Sequence, residues 1–479
     1  MRTAPVPAHA PRRSTMRAQP AQPSTAAIGA ARLVLCSLLL AMAAVSAAEG
    51  RTFRLRRLVV VGDSVLAGFG SGGFVGNGHP GQVDSAPAFI ARRARVKLPQ
   101  PLVDQPGVPP QLAIVDGNRN GRLDRGEVRR AHGGLGFRSD PGRRGRNLAV
   151  PGEDTASVFE KIAPEDIAGQ LVTGDVQGRD VLKFLILGLP LRAGGVSQVS
   201  RARELRPSFL LVWLGNNDVL EMATSTNPGA LTVTPAEFGS RFRALLDALA
   251  DTQAGMAVAN LPDPTGIAAL RRAAGEVTSC RTTAGATEPV AADDLLSIDL
   301  DPRQLPAPPC GKVLDSAEQA RVRASVSAFN AEIAAAIAGV EQVRGVTIAP
   351  VDIFTAFDRL RSTGVDLDAD GAPDLTTRYL GGIFSLDGIH PTRTGNALIA
   401  NAFIDAINAR FGETIPQVDV ARVAAHDPLA HSRFRPAGEP PFGLIGESQG
   451  SDVESFFQKT YARIEHDIND LRDRLVKLF

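Results

Sequence analysis

The chain has 479 residues, 44% of them hydrophobic, enough for one large domain or two ordinary ones. Its 52 Lys and Arg nearly balance 51 Asp and Glu, a net charge of +1. That balance lacks the basic excess of a nucleic-acid binder, so no nucleic-acid partner is expected.

Residues 1–48 hold five arginines and no acid, then an apolar run at 33–44 and the small residues Val45-Ser46-Ala47-Ala48. A basic stretch, an apolar core and small residues at a cleavage position read as a signal peptide. Export to the periplasm or the medium is expected. A membrane anchor is the alternative, but the run is short for a span. Met16 could equally be the true start. Without residues 1–48 the charge is 52 − 5 = 47 basic against 51 acidic, a formal −4.

Leu58-Val59-Val60-Val61 is apolar at four consecutive positions and stops at Gly62-Asp63-Ser64. Such a run predicts a strand covered on both faces, as in a parallel sheet. A serine just past its C-terminal end stands where open α/β sheets place ligands. Gly68, Gly70 and Gly73 then fit G-x-G-x-x-G. A dinucleotide fingerprint should follow its strand directly and open a helix, so a flexible rim of the substrate cleft is the better reading. A nucleotide-binding enzyme using this loop is the rival, and it would co-purify with its cofactor.

Residues 98–146 read as an insertion rich in Pro, Gly and Arg. Within it Asp116, Asn118, Asn120, Arg122 (by its carbonyl), Asp124 and Glu127 fill the ligand positions of a calcium loop, with Gly121 at the sixth. No helix precedes it, so this is a lone loop. After Asn147-Leu148-Ala149-Val150-Pro151-Gly152, a second strand is predicted at 209–214, followed by Gly215-Asn216-Asn217-Asp218. A helix is expected at 236–250 with Phe238, Phe242, Leu245 and Leu249 on one face, then a strand at 256–261.

A second insertion, 264–314, contains Cys280 and Cys310. In an oxidising compartment a single cysteine pair invites one disulfide, with two free thiols as the alternative. Asp315 to Glu318 has capping-box spacing and opens a helix with a stripe of Val322, Val326, Phe329, Ile333 and Ile337. A strand follows at 346–353. Strands alternating with helices imply a parallel sheet between helical layers. Asp366, Asp368, Asp370 and Asp374 make a second calcium-like loop, with Thr377 where a twelfth-position glutamate would stand. Both acidic loops could equally be solvated turns. A helix is expected to start at His390-Pro391 and run to about Phe411. Residues 413–450 look loop-like. From Tyr461 an apolar 4-3 pattern through Leu478 predicts an amphipathic helix, packed on its own domain or self-associating.

Gly62-Asp63-Ser64, Asn147–Gly152, Gly215–Asp218 and Asp387-Gly388-Ile389-His390, in that order, resemble the SGNH/GDSL family of serine esterases and lipases, over about 54–411. The resemblance implies a flavodoxin-like three-layer α/β/α hydrolase domain at 52–412, with 413–479 as an extension. It implies Ser64 as nucleophile, His390 as base and then acid, and Asp387 as orienter of its ring. The oxyanion hole would be the N–H groups of Ser64 and Gly152 with the amide of Asn217, since the family's asparagine is third in G-x-N-D. Asp63 and Asp218 would hold loops. The implied substrate is a carboxylic ester: a short-chain ester, a lipid or an acetylated sugar. No cofactor is expected for catalysis, and any calcium would be structural. The G-x-S-x-G elbow of other hydrolases is absent. The alternative is a catalytically inactive calcium-binding cell-surface or carbohydrate-binding protein on the same scaffold.

Overall fold

The computed structural model describes residues 55–445 except 131–132, 174, 176, 192–193, 225–232 and 437. The expected signal peptide, the start at Met16 and the amphipathic helix at 461–478 lie outside the described residues.

Four branched or aliphatic residues in a row cannot all be hidden by one layer, because alternate side chains of a strand point to opposite faces. Strand β1 (Leu58–Gly62) is accordingly buried at every position, as is β2 (Phe209–Trp213). With β3 (Gly255–Ala259) and β4 (Ile348–Val351) they form one parallel sheet in the order β1-β2-β3-β4. Leu58 pairs with Phe209, and Phe209 with Gly255. On the far edge of β1 the segment 146–150 runs parallel to it: Leu148 N donates to Val60 O and Val150 N to Gly62 O, both at 3.0 Å. With that segment counted, the spatial order is the 2-1-3-4-5 of flavodoxin-like sheets.

Among the helices are α1 (Ser64–Ala67), α2 (Ala86–Arg93), α3 (Gln198–Glu204), α4 (Asn216–Thr224), α5 (Pro235–Ala250), α6 (Ser316–Arg344), α7 (Ile353–Thr363) and α8 (Arg393–Phe411). α8 packs on α2 and on β3 and β4. Phe209 and Trp213 reach Phe411 and Phe403 of α8, so Leu210 and Val212 face the other layer. There α5 and α6 pack together, Phe238 stacked on Phe329 with centroids 4.4 Å apart. Asp315 and Glu318 close the expected capping box at the start of α6.

Of the boundaries that differ from expectation, two have a clear cause in a capping side chain. β4 stops at Val351 because the Asp352 side chain accepts from Thr355 N and starts α7. α8 begins at Arg393, not at His390-Pro391, because Thr392 is its cap, accepting from Gly395 N. His390 therefore projects from a turn. The stretch after Gly412 is also less loop-like than expected: it holds a short helix, Val420–Ala424. Asp427 accepts from Thr394 N and Oγ1 at 2.9 and 2.8 Å, tying this segment to the start of α8.

The first insertion forms a hairpin of Leu112–Ile114 with Val128–Arg130. The second forms a small antiparallel sheet, 270–272 with 295–297 and 313–314. Cys280 and Cys310 are joined by a disulfide.

Candidate active site

Ser64 is the first residue of α1, immediately past the C-terminal end of β1. Asp63 accepts from Val65 N at 3.1 Å and from Asn216 Nδ2 at 2.9 Å, which fixes the turn. Burial pushes Asp63 up to about 6, against the pull of those hydrogen bonds. Ser64 Oγ lies 2.8 Å from His390 Nε2. His390 Nδ1 lies 3.1 Å from Asp387 Oδ2. All three residues are buried.

Asp387 Oδ1 accepts from the backbone N–H groups of Ile389 and His390, both at 2.8 Å. Burial alone would raise its pKa. His390 and these hydrogen bonds overcome that and hold it below the ordinary carboxylate range. Gly388 makes the turn between the two, with φ +70, and a Cβ there would come within 2.6 Å of Ala269 N. Ala269 N donates to Gly388 O at 2.9 Å, so the second insertion braces this turn.

The glycine-rich loop is not the cleft rim that its composition suggested. It lies buried behind the histidine and the aspartate. Gly72 N donates to Asp387 Oδ2 at 2.6 Å, and Ser71 N donates to Ser385 Oγ at 2.8 Å. The Phe69 ring lies 4.8 Å from the imidazole. The pattern of glycines was visible in the sequence, but nothing local identified Asp387 as the partner.

Gly152 has φ +82, a conformation that glycine takes without strain. Asn217 Nδ2 donates to Glu153 O at 2.6 Å. An amide nitrogen carries two hydrogens, so a second donor remains for another acceptor. The neighbouring Asn216 gives its amide to Asp63. Asp218 accepts from Thr155 N and Oγ1 at 3.2 and 2.8 Å, and burial pushes it up to about 7. Asp63 and Asp218 thus hold loops rather than face the cavity.

Ser64, Asn217 and His390 line one cavity of about 410 Å³, walled chiefly by apolar side chains of α7, α8 and the loop at 383–391. Phe357, Leu360, Phe384 and Leu398 are among them, and Trp213 of β2 lines the same cavity. A hydroxyl held against an imidazole, with that imidazole held by a buried carboxylate, can be deprotonated as it attacks an electrophile.

The sequence pattern of the GDSL-like Lipase/Acylhydrolase family matches residues 58–403, from the first residue of β1 into the middle of α8. The chain belongs to that family. Solved structures are also similar to it, two of them hydrolases by description. One is an α/β hydrolase enzyme from the metagenome of Lake Arreo, Spain, with 15% identity, covering 73% of this chain and 93% of that one at a TM-score of 0.28. The other is the extracellular lipase of Streptomyces rimosus, with 14% identity, covering 74% and 98% at a TM-score of 0.30. No curated protein matches in sequence.

The two acidic loops of the chain differ. Carboxylate oxygens of Asp366, Asp368 and Asp374 lie within 4.8 Å of one another on the surface, an all-oxygen set that fits a hard cation. Asp370 instead accepts from Ala372 N at 2.8 Å. At 116–127 the carboxylates are not gathered in this way among the described residues. Asn118 and Asn120 turn their amide nitrogens to Asp124 Oδ2 at 2.9 and 2.6 Å. Asp116 accepts from Asn120 N and Gly121 N, both at 3.1 Å, and Glu127 from Gly117 N and Asp124 N. Arg122 donates its N–H to Asn120 Oδ1 at 2.7 Å.

Proposed function

We propose that this protein is an exported serine esterase that hydrolyses carboxylic esters carrying an apolar chain. Ser64 Oγ attacks the carbonyl carbon while His390 Nε2 takes its proton. Asp387 holds the ring in the tautomer that accepts there and stabilises the imidazolium. The oxyanion is met by the N–H groups of Ser64 and Gly152 and the free amide hydrogen of Asn217. Collapse breaks the ester C–O bond, and His390 returns the proton to the departing alcohol. Water, activated by the same imidazole, then hydrolyses the acyl-enzyme and frees Ser64. No metal enters these steps; calcium on the 366–374 loop would be structural.

The observation that carries the reading is the 2.8 Å contact between Ser64 and His390 at the wall of an apolar cavity of about 410 Å³. That size lies within the ~300–1,000 Å³ common for small-molecule sites. An acetyl group would leave most of it unfilled, which favours a longer chain over an acetylated sugar. The composition of residues 1–48 and the Cys280–Cys310 bond support export to an oxidising compartment. Among the described residues no helix is long and apolar enough to cross a membrane.

A series of p-nitrophenyl esters tests the substrate class. At about 0.8 kcal/mol per buried methylene, kcat/KM should climb roughly fourfold per carbon until the cavity is full. A flat or falling series would reject the apolar chain. A fluorophosphonate probe tests the nucleophile: it should label Ser64, and Ser64→Ala should abolish both labelling and turnover.

A further inference from the structure

Glu153 directly follows Gly152, and its side chain is 0% exposed. Lys183, itself 2% exposed and the last residue of the helix Gly178–Lys183, places Nζ 2.9 Å from Glu153 Oε1. The same ammonium donates to Ser157 O at 2.9 Å, so it pins the loop on both sides of Thr155. Gln198, the first residue of α3, donates from Nε2 to Glu153 Oε2 at 3.4 Å. Its amide also pairs in both directions with the backbone of Gly62, each contact 2.9 Å. Gly62 ends the strand that delivers Ser64. The main-chain carbonyl of Glu153, meanwhile, accepts the Asn217 amide at 2.6 Å.

Stability does not account for such a pair. Two charges withdrawn from water cost more than their attraction returns in many proteins, and apolar residues of like volume often hold a fold as well. Burial pushes Glu153 up to about 7 even with Lys183 beside it, a sign of how heavily it is desolvated. What the pair does supply is direction. It connects the end of β1, the loop after Gly152 and Asn217 through one residue.

The geometry points to Glu153 as a positioning residue: clamped by Lys183 and Gln198, it sets the Gly152 N–H and the Asn217 amide at fixed reach from Ser64 Oγ. It touches no reacting atom. The inference rests on the reading of Ser64, Gly152 and Asn217 given above.

The test uses the full chain and the p-nitrophenyl ester that the wild type turns over best. Glu153→Gln with Lys183→Met removes both charges, so neither is left unpaired. This double variant is made with Asn217 intact and with Asn217→Ala, and Ser64→Ala is assayed in parallel. The double variant should melt close to the wild type, lose about 10–100-fold in kcat and keep KM within about twofold. With Asn217→Ala already present, the same change should cost clearly less, because the share of the loss carried by the Asn217 donor is already gone and only the Gly152 share remains. A folded double variant with wild-type kcat overturns the inference, and so do equal losses in both backgrounds. If the double variant does not fold, Lys183→Arg keeps the charge but displaces its head. Read for the same kcat loss and the same dependence on Asn217, it overturns the inference if kcat is unchanged. Activity surviving in Ser64→Ala would reject the site reading itself, whatever the Glu153 variants do.

Discussion

Asn216 and Asn217 are adjacent, both line the cavity, and a sequence cannot easily separate their roles. Their hydrogen bonds can. Asn217 gives one amide hydrogen to Glu153 O at 2.6 Å, and in the proposed mechanism the other meets the substrate oxygen. Asn217→Ala removes that donor. Loss of one oxyanion donor costs about 2.7–4 kcal/mol, or about 10²–10³ in kcat, with KM little changed because the donor acts on charge that develops only in the transition state. Asn216→Ala has a different consequence. It strips Asp63 of its side-chain hydrogen bond, the largest influence opposing the burial that raises that carboxyl to about 6. Asp63 should then rise further, and its remaining bond to Val65 N still caps the turn. The expected loss is under about tenfold, since no transition-state contact goes. Steady-state kinetics on one ester, with the rate of fluorophosphonate labelling as a second readout, separates the two. A larger kcat loss in Asn216→Ala than in Asn217→Ala would refute this assignment.

Thermal stability should fall as pH rises from about 4.5 to about 7. Asp63, Asp218 and Glu153 are raised by burial to about 6, 7 and 7 from 3.8, 3.8 and 4.5, so the folded state binds protons more tightly across that window and loses the advantage as they ionise. A melting temperature that is flat or rising there would contradict these shifts, and Glu153→Gln with Lys183→Met should flatten the decline. Replacing Cys280 and Cys310 by alanine opens a loop of separation 30 and should cost about 3–4 kcal/mol in denaturant unfolding; an unchanged midpoint would show that the link adds nothing. EDTA should lower the melting temperature before it lowers activity, and Asp366→Asn with Asp368→Asn should abolish any calcium-induced rise. Identical melts with EDTA and calcium, with no calcium by elemental analysis, would remove the metal from both loops.

The sheet was legible because its strands are short, fully apolar and stopped by glycine or a polar turn. A run such as Leu58–Val61 has few other uses in a chain rich enough in apolar residues to bury it. The order of the motifs pointed to the family, since each lies at the end of a strand or in the turn before α8. What stayed hidden was long-range. Gly72 and Asp387 are 315 residues apart, and no periodicity links them. Glu153, Lys183 and Gln198 belong to no motif, and a charged or amide side chain met in a sequence is placed in solvent by default. The two acidic loops share a pattern, yet only one gathers its carboxylates. Where the second loop has Asp368 and Asp370, the first has Asn118 and Asn120, whose amides are turned to Asp124 Oδ2.

Besides Asp387, the buried carboxylates Asp63, Glu153 and Asp218 lie around this site, and in the proposed mechanism none of these three touches a reacting atom. Asp63 holds the turn of Ser64, Glu153 the loop of Gly152, and Asp218 the same loop two residues on through Thr155. Each is desolvated at a cost that an apolar residue would avoid. Carboxylates are suited to this task because one group can accept hydrogen bonds from two backbone or side-chain donors at once, which fixes a loop in direction as well as distance. A hydrophobic contact is non-directional and would leave the donors free to drift. The expected signature is therefore opposite in sign for two measurements. Where these groups are replaced by apolar residues of like volume, stability near neutral pH should hold or rise while kcat falls. That is the exchange expected when a site is rigid at the expense of the fold around it.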